Sequence, residues 1–356
     1  MKVAIITGTR PEIIKLAPLI KELKGNSSVV FSGQHYDFDL SMRFFKELDL
    51  PLPDYKLKIS KQSPAVQIGE IISKLHTVFC EIKPDTVMVQ GDTNTALAGA
   101  ICALKMGIPV NHVESGLRSF DWRMPEEHNR IQIDHISELL FASTSYSKKN
   151  LINEMVHGKI FVTGNTVMDS IKLYMKLAEK KSTLEISQDD FVLFTMHRAE
   201  NVDNENVMKN VLSAIIDTKI KVVFPVHPRT LKRLRQFNLL TKITENKNIK
   251  LLGSVGYFDI LKLMKNSMFI VSDSGGIQEE ATSPLIRKKV LVVRKTTDRP
   301  ESVKNGFSQV VGTSKNRILK VMKQTIKNPK LINKRSPYGN GESSKIIVSL
   351  LKRFFD

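Results

Sequence analysis

Short apolar runs alternate with amphipathic stretches along the whole chain, and no other feature restricts the fold so strongly. Strands are expected at Val3–Thr7, Val29–Ser32, Thr86–Gln90, Val110–Val113, Leu139–Ala142 and Ile160–Val162. The pattern resumes at Phe191–Thr195, Val222–Pro225, Lys250–Leu252, Met268–Val271 and Val290–Val293. Between them the spacing of apolar residues is helical, most clearly over Val66 to Ile82, where Val66, Ile71, Leu75, Val78, Phe79 and Ile82 are expected on one face. Strand–helix alternation of this kind builds parallel, doubly wound sheets with helices on both faces, an α/β fold.

At 356 residues the chain is too long for one compact core and fits two Rossmann-like domains. The expected division is 1–165, with the final helix 342–356 packing back on it, and 166–341. The helical Thr166–Lys180 and the polar Lys181-Ser182-Thr183 form the connection. In open sheets ligands lie beyond the C-terminal strand ends, so the motifs at those ends are expected to converge on an interdomain cleft. The first apolar run is only four residues, Val3 to Ile6, before Thr7-Gly8, which makes it a strand and no signal peptide; no run reaches membrane-spanning length. A cytoplasmic location without membrane insertion is the expectation. Cys80 and Cys102 are expected to pack as small hydrophobes in apolar helical patterns. The net charge of +18 is concentrated in residues 281–356, where 18 Lys/Arg face four acidic residues. Lys315, Lys320, Lys323 and Lys327 fall on helical solvent faces without interleaved aromatics, which favours a solvated basic face over specific nucleic-acid binding.

Chemistry concentrates at the strand ends. Ser272-Asp273-Ser274-Gly275-Gly276-Ile277-Gln278-Glu279-Glu280 follows an apolar strand and opens a helix, so unpaired N–H groups and two side-chain-free residues can admit an anion. An ordinary Gly-containing turn is the competing reading. The first strand ends in Gly8-Thr9-Arg10-Pro11-Glu12, with Arg10 as a planar cation suited to phosphate or, alternatively, paired with Glu12. Asp92 in Gly91-Asp92-Thr93 either caps a helix, which spacing alone favours, or serves as an acid/base. Glu114, in Glu114-Ser115-Gly116-Leu117-Arg118, stands at the next strand end; like charges so close are costly if merely structural. Glu126 opens a helix with Arg130 four residues on, compatible with an i,i+4 salt bridge. His197-Arg198 and His227-Pro228-Arg229 occupy strand ends of the second half, and Arg294 or Arg299 can complete a cationic cage around a diphosphate. The chain has no P-loop lysine motif, no GxGxxG after its first strand and no HExxH helix, so no metal or redox cofactor is implied.

Together these stretches, with Gln34-His35, Pro125-Glu126-Glu127, His197-Arg198-Ala199-Glu200-Asn201 and Asp298-Arg299-Pro300-Glu301, resemble the non-hydrolysing UDP-N-acetylglucosamine 2-epimerase family, in family order over nearly the whole chain. The resemblance implies a GT-B fold, a homodimer, and reversible inversion at C2 between UDP-GlcNAc and UDP-ManNAc, supplying glycan precursors without cofactor. It implies elimination of UDP to a 2-acetamidoglucal followed by re-addition. On the matching positions it implies Asp92, Glu114 and Glu126 as the acid/base carboxylates with Arg130 as partner. His197 would then assist at the diphosphate, Arg10, Ser274, Gly275, Gly276 and Arg299 hold it, and Glu280 bind the ribose; Lys15 and His227 complete the substrate contacts. The family's uracil-contacting aromatic is replaced by Ile260, with Tyr257 or Phe258 as substitutes. Gln34-His35-Tyr36-Asp37 keeps only the first part of the segment through which regulated members bind a second substrate molecule. Three alternatives remain. A UDP-2,3-diacetamido-sugar uronate 2-epimerase shares Phe120 to Pro125, a GT-B glycosyltransferase shares the phosphate seat, and a nucleic-acid-binding protein rests only on the basic tail.

Overall fold

The computed structural model describes residues 1–33, 38–60, 63–182, 184–185, 191–329 and 334–356. The segment Gln34-His35-Tyr36-Asp37 therefore lies outside the described residues. The chain forms two compact units, Met1–Ser170 with Tyr338–Asp356, and Ile171–Pro337.

The first unit begins with β1 (Val3–Thr7), α1 (Arg10–Glu22), β2 (Ser27–Phe31), α2 (Phe38–Glu47) and β3 (Tyr55–Lys56). It continues with α3 (Pro64–Ile82), β4 (Thr86–Gln90), α4 (Asn94–Lys105), β5 (Val110–Ser115) and α5 (Pro125–Ile136). Then come β6 (Leu139–Ala142), α6 (Ser145–Asn153), β7 (Lys159–Val162) and the start of α7 (Thr166–Lys181). All pairings are parallel, in the order β3-β2-β1-β4-β5-β6-β7. Covered on both faces, β1, β4 and β6 are buried throughout, which is why they read as unbroken apolar runs.

The second unit holds β8 (Val192–Thr195), α8 (Ala199–Val202), α9 (Glu205–Asp217), β9 (Val222–Pro225), α10 (Pro228–Gln236) and α11 (Leu240–Thr244). It goes on with β10 (Ile249–Leu252), α12 (Tyr257–Asn266), β11 (Ile270–Ser272) and α13 (Gly275–Glu280). It ends with β12 (Val290–Val292), α14 (Pro300–Lys304), β13 (Ser308–Val310) and α15 (Lys315–Lys327). Its six parallel strands run β10-β9-β8-β11-β12-β13. Both sheets thus reverse direction beside their first strand, between β1 and β4 and between β8 and β11. In open α/β sheets these are the positions where ligands bind.

The last helix, α16 (Ser343–Phe355), belongs to the first unit. Asp169 accepts hydrogen bonds from Ser343 N at 3.2 Å and Ser344 N at 2.8 Å, so its carboxylate satisfies two otherwise open donors at the start of the helix. At the other end the amino group of Met1 pairs with Asp356 at 2.9 Å, and Phe354 packs on Phe161 with centroids 5.8 Å apart.

The expected α/β class of two doubly wound parallel sheets is what the structure holds. The differences are local. In α3 the buried stripe is Gln67, Ile71, Leu75, Val78, Phe79 and Ile82, while Val66 is exposed. Val66 stands five residues before Ile71, off the helical repeat, and Gln67 takes the inward position, accepting from Asn94 Nδ2 at 3.2 Å. Cys102 is buried as expected, but Cys80 is exposed, because it is turned about 100° from the inward-facing Phe79 on the same helix. The short β3 and β13 carry no apolar run of their own and went unread in the sequence. No helix among the described residues is long and apolar enough to cross a membrane.

Candidate functional site

In the first unit the tips of β1, β4 and β5 are bound to one another by side chains. Thr9 is the N-cap of α1, and the buried Glu12 folds back to accept Gly8 N at 2.8 Å and Thr9 N at 2.6 Å. The other Glu12 oxygen accepts Thr93 Oγ1 at 2.6 Å, tying the β1 tip to the β4 tip. Burial pushes the Glu12 carboxyl above its usual value, against the pull of these hydrogen bonds. Glu12 is thus engaged by the backbone, and Arg10 lies instead with its guanidinium carbon 4.6 Å from the centre of the Phe44 ring.

Thr93, whose hydroxyl accepts from Ala96 N at 3.1 Å, is the cap of α4. The cap reading of Asp92 is thereby removed, and its carboxylate pairs with Arg130 of α5. Asn129 donates to the Asp92 carbonyl at 2.9 Å. Arg130 also pairs with the buried Glu127 at 3.1 Å, an i,i+3 contact, so the i,i+4 pairing of Glu126 with Arg130 does not form. Glu126 is exposed, and it is Glu127 that turns inward to accept Ser119 N at 2.9 Å and Phe120 N at 2.8 Å. Two adjacent glutamates differ here by one helical step, which the sequence pattern alone does not rank.

Glu114 does not end its strand. It sits within β5 at a register shift between Val113 and Ser115 and holds φ of +71°, which a non-glycine residue adopts only at a cost of order 1–3 kcal/mol. Its carboxylate accepts from Gln90 Nε2 at 2.8 Å and pairs with Lys15 of α1. Gln90, on the preceding strand, was not singled out in the sequence. Two carboxylates are therefore presented near the ends of neighbouring strands, each paired with a cation, Asp92 with Arg130 and Glu114 with Lys15.

In the second unit the buried Asp273 is the hub. It accepts His197 N and Arg198 N at 3.1 and 3.0 Å and Asn201 Nδ2 at 3.0 Å, and its Oδ1 lies 3.5 Å from His197 Nδ1. Burial lowers the His197 pKa, opposed by the Asp273 charge and assisted by Arg198. His227, with its ring centre 5.9 Å from that of His197, caps α10 by accepting Arg229 N at 3.2 Å, and burial lowers its pKa as well.

Gly275 is the point of closest approach. A Cβ placed there would lie 3.3 Å from Asp298 Oδ1, 3.5 Å from the Arg299 guanidinium carbon and 3.6 Å from an Arg198 nitrogen. Arg299 is held by Glu279 and by Asp298 at 3.1 Å, and Arg294 by Glu200 at 2.7 Å and Asp298 at 3.4 Å. Arg198 Nε is buried with no hydrogen-bond partner among the described residues. Ser274 caps α13, Gly276 follows Gly275 in the first turn, and Glu280 closes the helix, half-buried. The geometry brings Ser274, Gly275, Arg198 and Arg299 together, and Arg294, the other expected cation, shares Asp298 with Arg299. Tyr257 is buried with its ring edge-on to Tyr174, centroids 6.5 Å apart, so its faces pack inside the unit's own aromatic cluster. No group of three or more His, Cys, Asp or Glu among the described residues is placed to hold a metal ion.

Residues 20–352 match the family model described as UDP-N-acetylglucosamine 2-epimerase. The UDP-N-acetylglucosamine 2-epimerase of Methanocaldococcus jannaschii is 43% identical over 99% of both chains. A crystal structure of the enzyme from that organism, in complex with UDP-GlcNAc and UDP, superposes with a TM-score of 0.90 at 44% identity, covering 99% of this chain and 100% of that one. The UDP-2,3-diacetamido-2,3-dideoxy-D-glucuronate 2-epimerase of Pseudomonas aeruginosa is 33% identical over 99% of this chain and 100% of its own length. A family model spanning most of the chain, and relatives alike from end to end, leave one assignment: the chain belongs to the UDP-N-acetylglucosamine 2-epimerase family.

Proposed function

We propose that this protein interconverts UDP-GlcNAc and UDP-ManNAc by inversion at C2, with Asp92 and Glu114 as the groups that move the proton. The observation that carries the reading is the pair of cation-matched carboxylates at adjacent strand tips, Asp92 with Arg130 and Glu114 with Lys15. A proton on C2 of a sugar is a weak acid, so its removal needs a positioned base and simultaneous departure of a well-stabilised leaving group. One carboxylate takes the proton, a C1–C2 double bond forms, and the C1–O bond breaks to release UDP. The diphosphate oxygen then returns to C1 while C2 receives a proton on the opposite face. Glu126, exposed at the start of α5, is a third candidate in this set and would have to act without the Arg130 contact.

The second unit supports retention of the leaving group. Arg198 and Arg299 stand beside Gly275, where the absence of a side chain leaves room for phosphate oxygens, and Arg294, Ser274, Gly276 and Arg10 join them in the proposal. Burial holds the His197 pKa below its usual value, and a diphosphate beside it would favour its protonated form. His227 stands next to it, and Glu280 takes the ribose hydroxyls. Tyr257 would contribute by shaping the uracil pocket from beneath. A homodimer in the cytoplasm, supplying glycan precursors, completes the reading.

Gly275→Val is expected to weaken UDP binding about 100-fold, or about 2.7 kcal/mol, because the added methyls occupy the space beside Arg299 and Arg198. Calorimetric titration with UDP measures this, and an unchanged dissociation constant would remove Gly275 from the seat. The function itself is tested by incubating the protein with UDP-GlcNAc in D₂O and following C2 by NMR. Deuterium at C2 and appearance of the manno epimer are expected. Exchange of the diacetamido uronate in place of UDP-GlcNAc would shift the substrate to that of the Pseudomonas relative.

A further inference from the structure

The strand that carries Glu114 also carries a fully buried histidine, His112, which no step of the reaction touches. Its Nε2 lies 2.8 Å from the carbonyl oxygen of Gly91, the residue immediately before Asp92. A carbonyl can only accept, so Nε2 carries a proton, and Nδ1 faces Asp134 Oδ1 at 2.7 Å. The second Asp134 oxygen accepts Gly116 N at 3.1 Å, two residues beyond Glu114, and meets Arg118 at 2.7 Å. Arg118 is in turn held by both oxygens of Glu154, at 2.7 and 2.6 Å. Burial alone would raise the Asp134 carboxyl, but His112 and Arg118 outweigh it and hold it below the usual carboxylate value. Asp134 is therefore a firm anion with both oxygens in use. It stands on α5, one turn from Arg130, which grips the Asp92 side chain, and Asn129, which grips its carbonyl.

One buried His–Asp pair thus spans the two tips that present the acid/base carboxylates: its ring end fixes Gly91 before Asp92, and its carboxylate end fixes Gly116 after Glu114. We propose that His112 and Asp134 are positioning residues that set the separation of Asp92 and Glu114, so that one face of C2 is deprotonated and the other protonated from fixed places. The inference rests on the reading of Asp92 and Glu114 as the acid/base groups. A packing role alone would show in stability; a positioning role shows in turnover, since a displacement of about 1 Å at reacting groups can cost about 10²-fold in rate.

His112→Phe keeps a ring of similar size and removes both hydrogen bonds, whereas the amide of His112→Gln can still donate to the Gly91 carbonyl. In the full-length enzyme, His112→Phe is expected to lower kcat for C2 exchange about 100-fold with KM for UDP-GlcNAc and the UDP dissociation constant within about twofold of wild type. His112→Gln is expected to recover roughly tenfold of that loss. Should His112→Phe fail to fold, Asp134→Asn provides the same test, because an amide has one accepting oxygen where the carboxylate has two, so the His112 ring and the Gly116 N–H can no longer both donate to it; its kcat is expected to fall at least about tenfold. A folded His112→Phe, or Asp134→Asn in its place, that keeps kcat within about threefold overturns the proposal, as does a loss confined to KM. Absence of C2 exchange in the wild-type enzyme would instead overturn the assignment of function on which the proposal stands.

Discussion

Glu114→Gln is expected to retain UDP affinity within about threefold while C2 exchange falls roughly 10²–10⁴-fold, the span that a positioned general acid or base contributes. The amide can keep an oxygen toward Gln90 Nε2, so the shape of the tip is preserved and only the capacity to take a proton is lost. Asp92→Asn is expected to behave in the same way, since the Arg130 and Asn129 contacts hold its side chain and carbonyl independently. Deuterium incorporation at C2 in D₂O, set beside calorimetric UDP binding, separates the two properties. Near-normal exchange in either variant would strip that residue of its acid/base role. Each substitution also takes one carboxylate charge away from a cation, the half-buried Lys15 or the buried Arg130, which keeps Glu127, so a modest fall in melting temperature should accompany the loss.

Gly116→Ala is the substitution expected to act most strongly on the fold. Gly116 has φ of +76°, and a Cβ there would overlap the carbonyl oxygen of Ser147 and stand 2.8 Å from Leu151 Cγ. The backbone oxygen cannot step aside, because the Gly116 turn is itself pinned by Asp134 to its amide and by Asn150 Nδ2 to its carbonyl at 2.9 Å. A left-handed conformation and a backbone overlap together should cost about 3–5 kcal/mol, a drop in melting temperature on the order of 10 °C. A thermal scan that found the variant within about 2 °C of wild type would show that β5 and α6 part more easily than their packing indicates.

How far the sequence carried the structure depends on what kind of signal each part rests on. Buried parallel strands such as Val3–Thr7 and Thr86–Gln90 are long apolar runs bounded by polar residues, and their limits were legible to the residue. The two-residue β3 is held by its pairing with β2, which leaves no trace in its own composition. At the site, the residue types at the strand ends were legible, because Asp, Glu, His and Arg at those ends are unexpected on packing grounds. Partner choice was not. Which of Glu126 and Glu127 meets Arg130 turns on one step of a helix, and whether Asp92 or Thr93 caps α4 turns on one backbone dihedral. His112 and Asp134 are separated by a loop and most of a helix, and each alone has the look of an ordinary buried polar residue; only their shared hydrogen bonds mark them as a pair.

The return of the chain to the first unit has a consequence for synthesis. Residues Ile171–Pro337 form a continuous segment, whereas the first unit is opened by Met1 and closed only by Tyr338–Asp356. The donors that Asp169 satisfies, and the carboxylate that meets the Met1 amino group, all lie in that closing stretch. On the ribosome the unit begun first is therefore the one completed last. Its early sheet must wait, with one helix missing, through the whole translation of the other unit, and its apolar surface stays open to aggregation until Tyr338–Asp356 has been made.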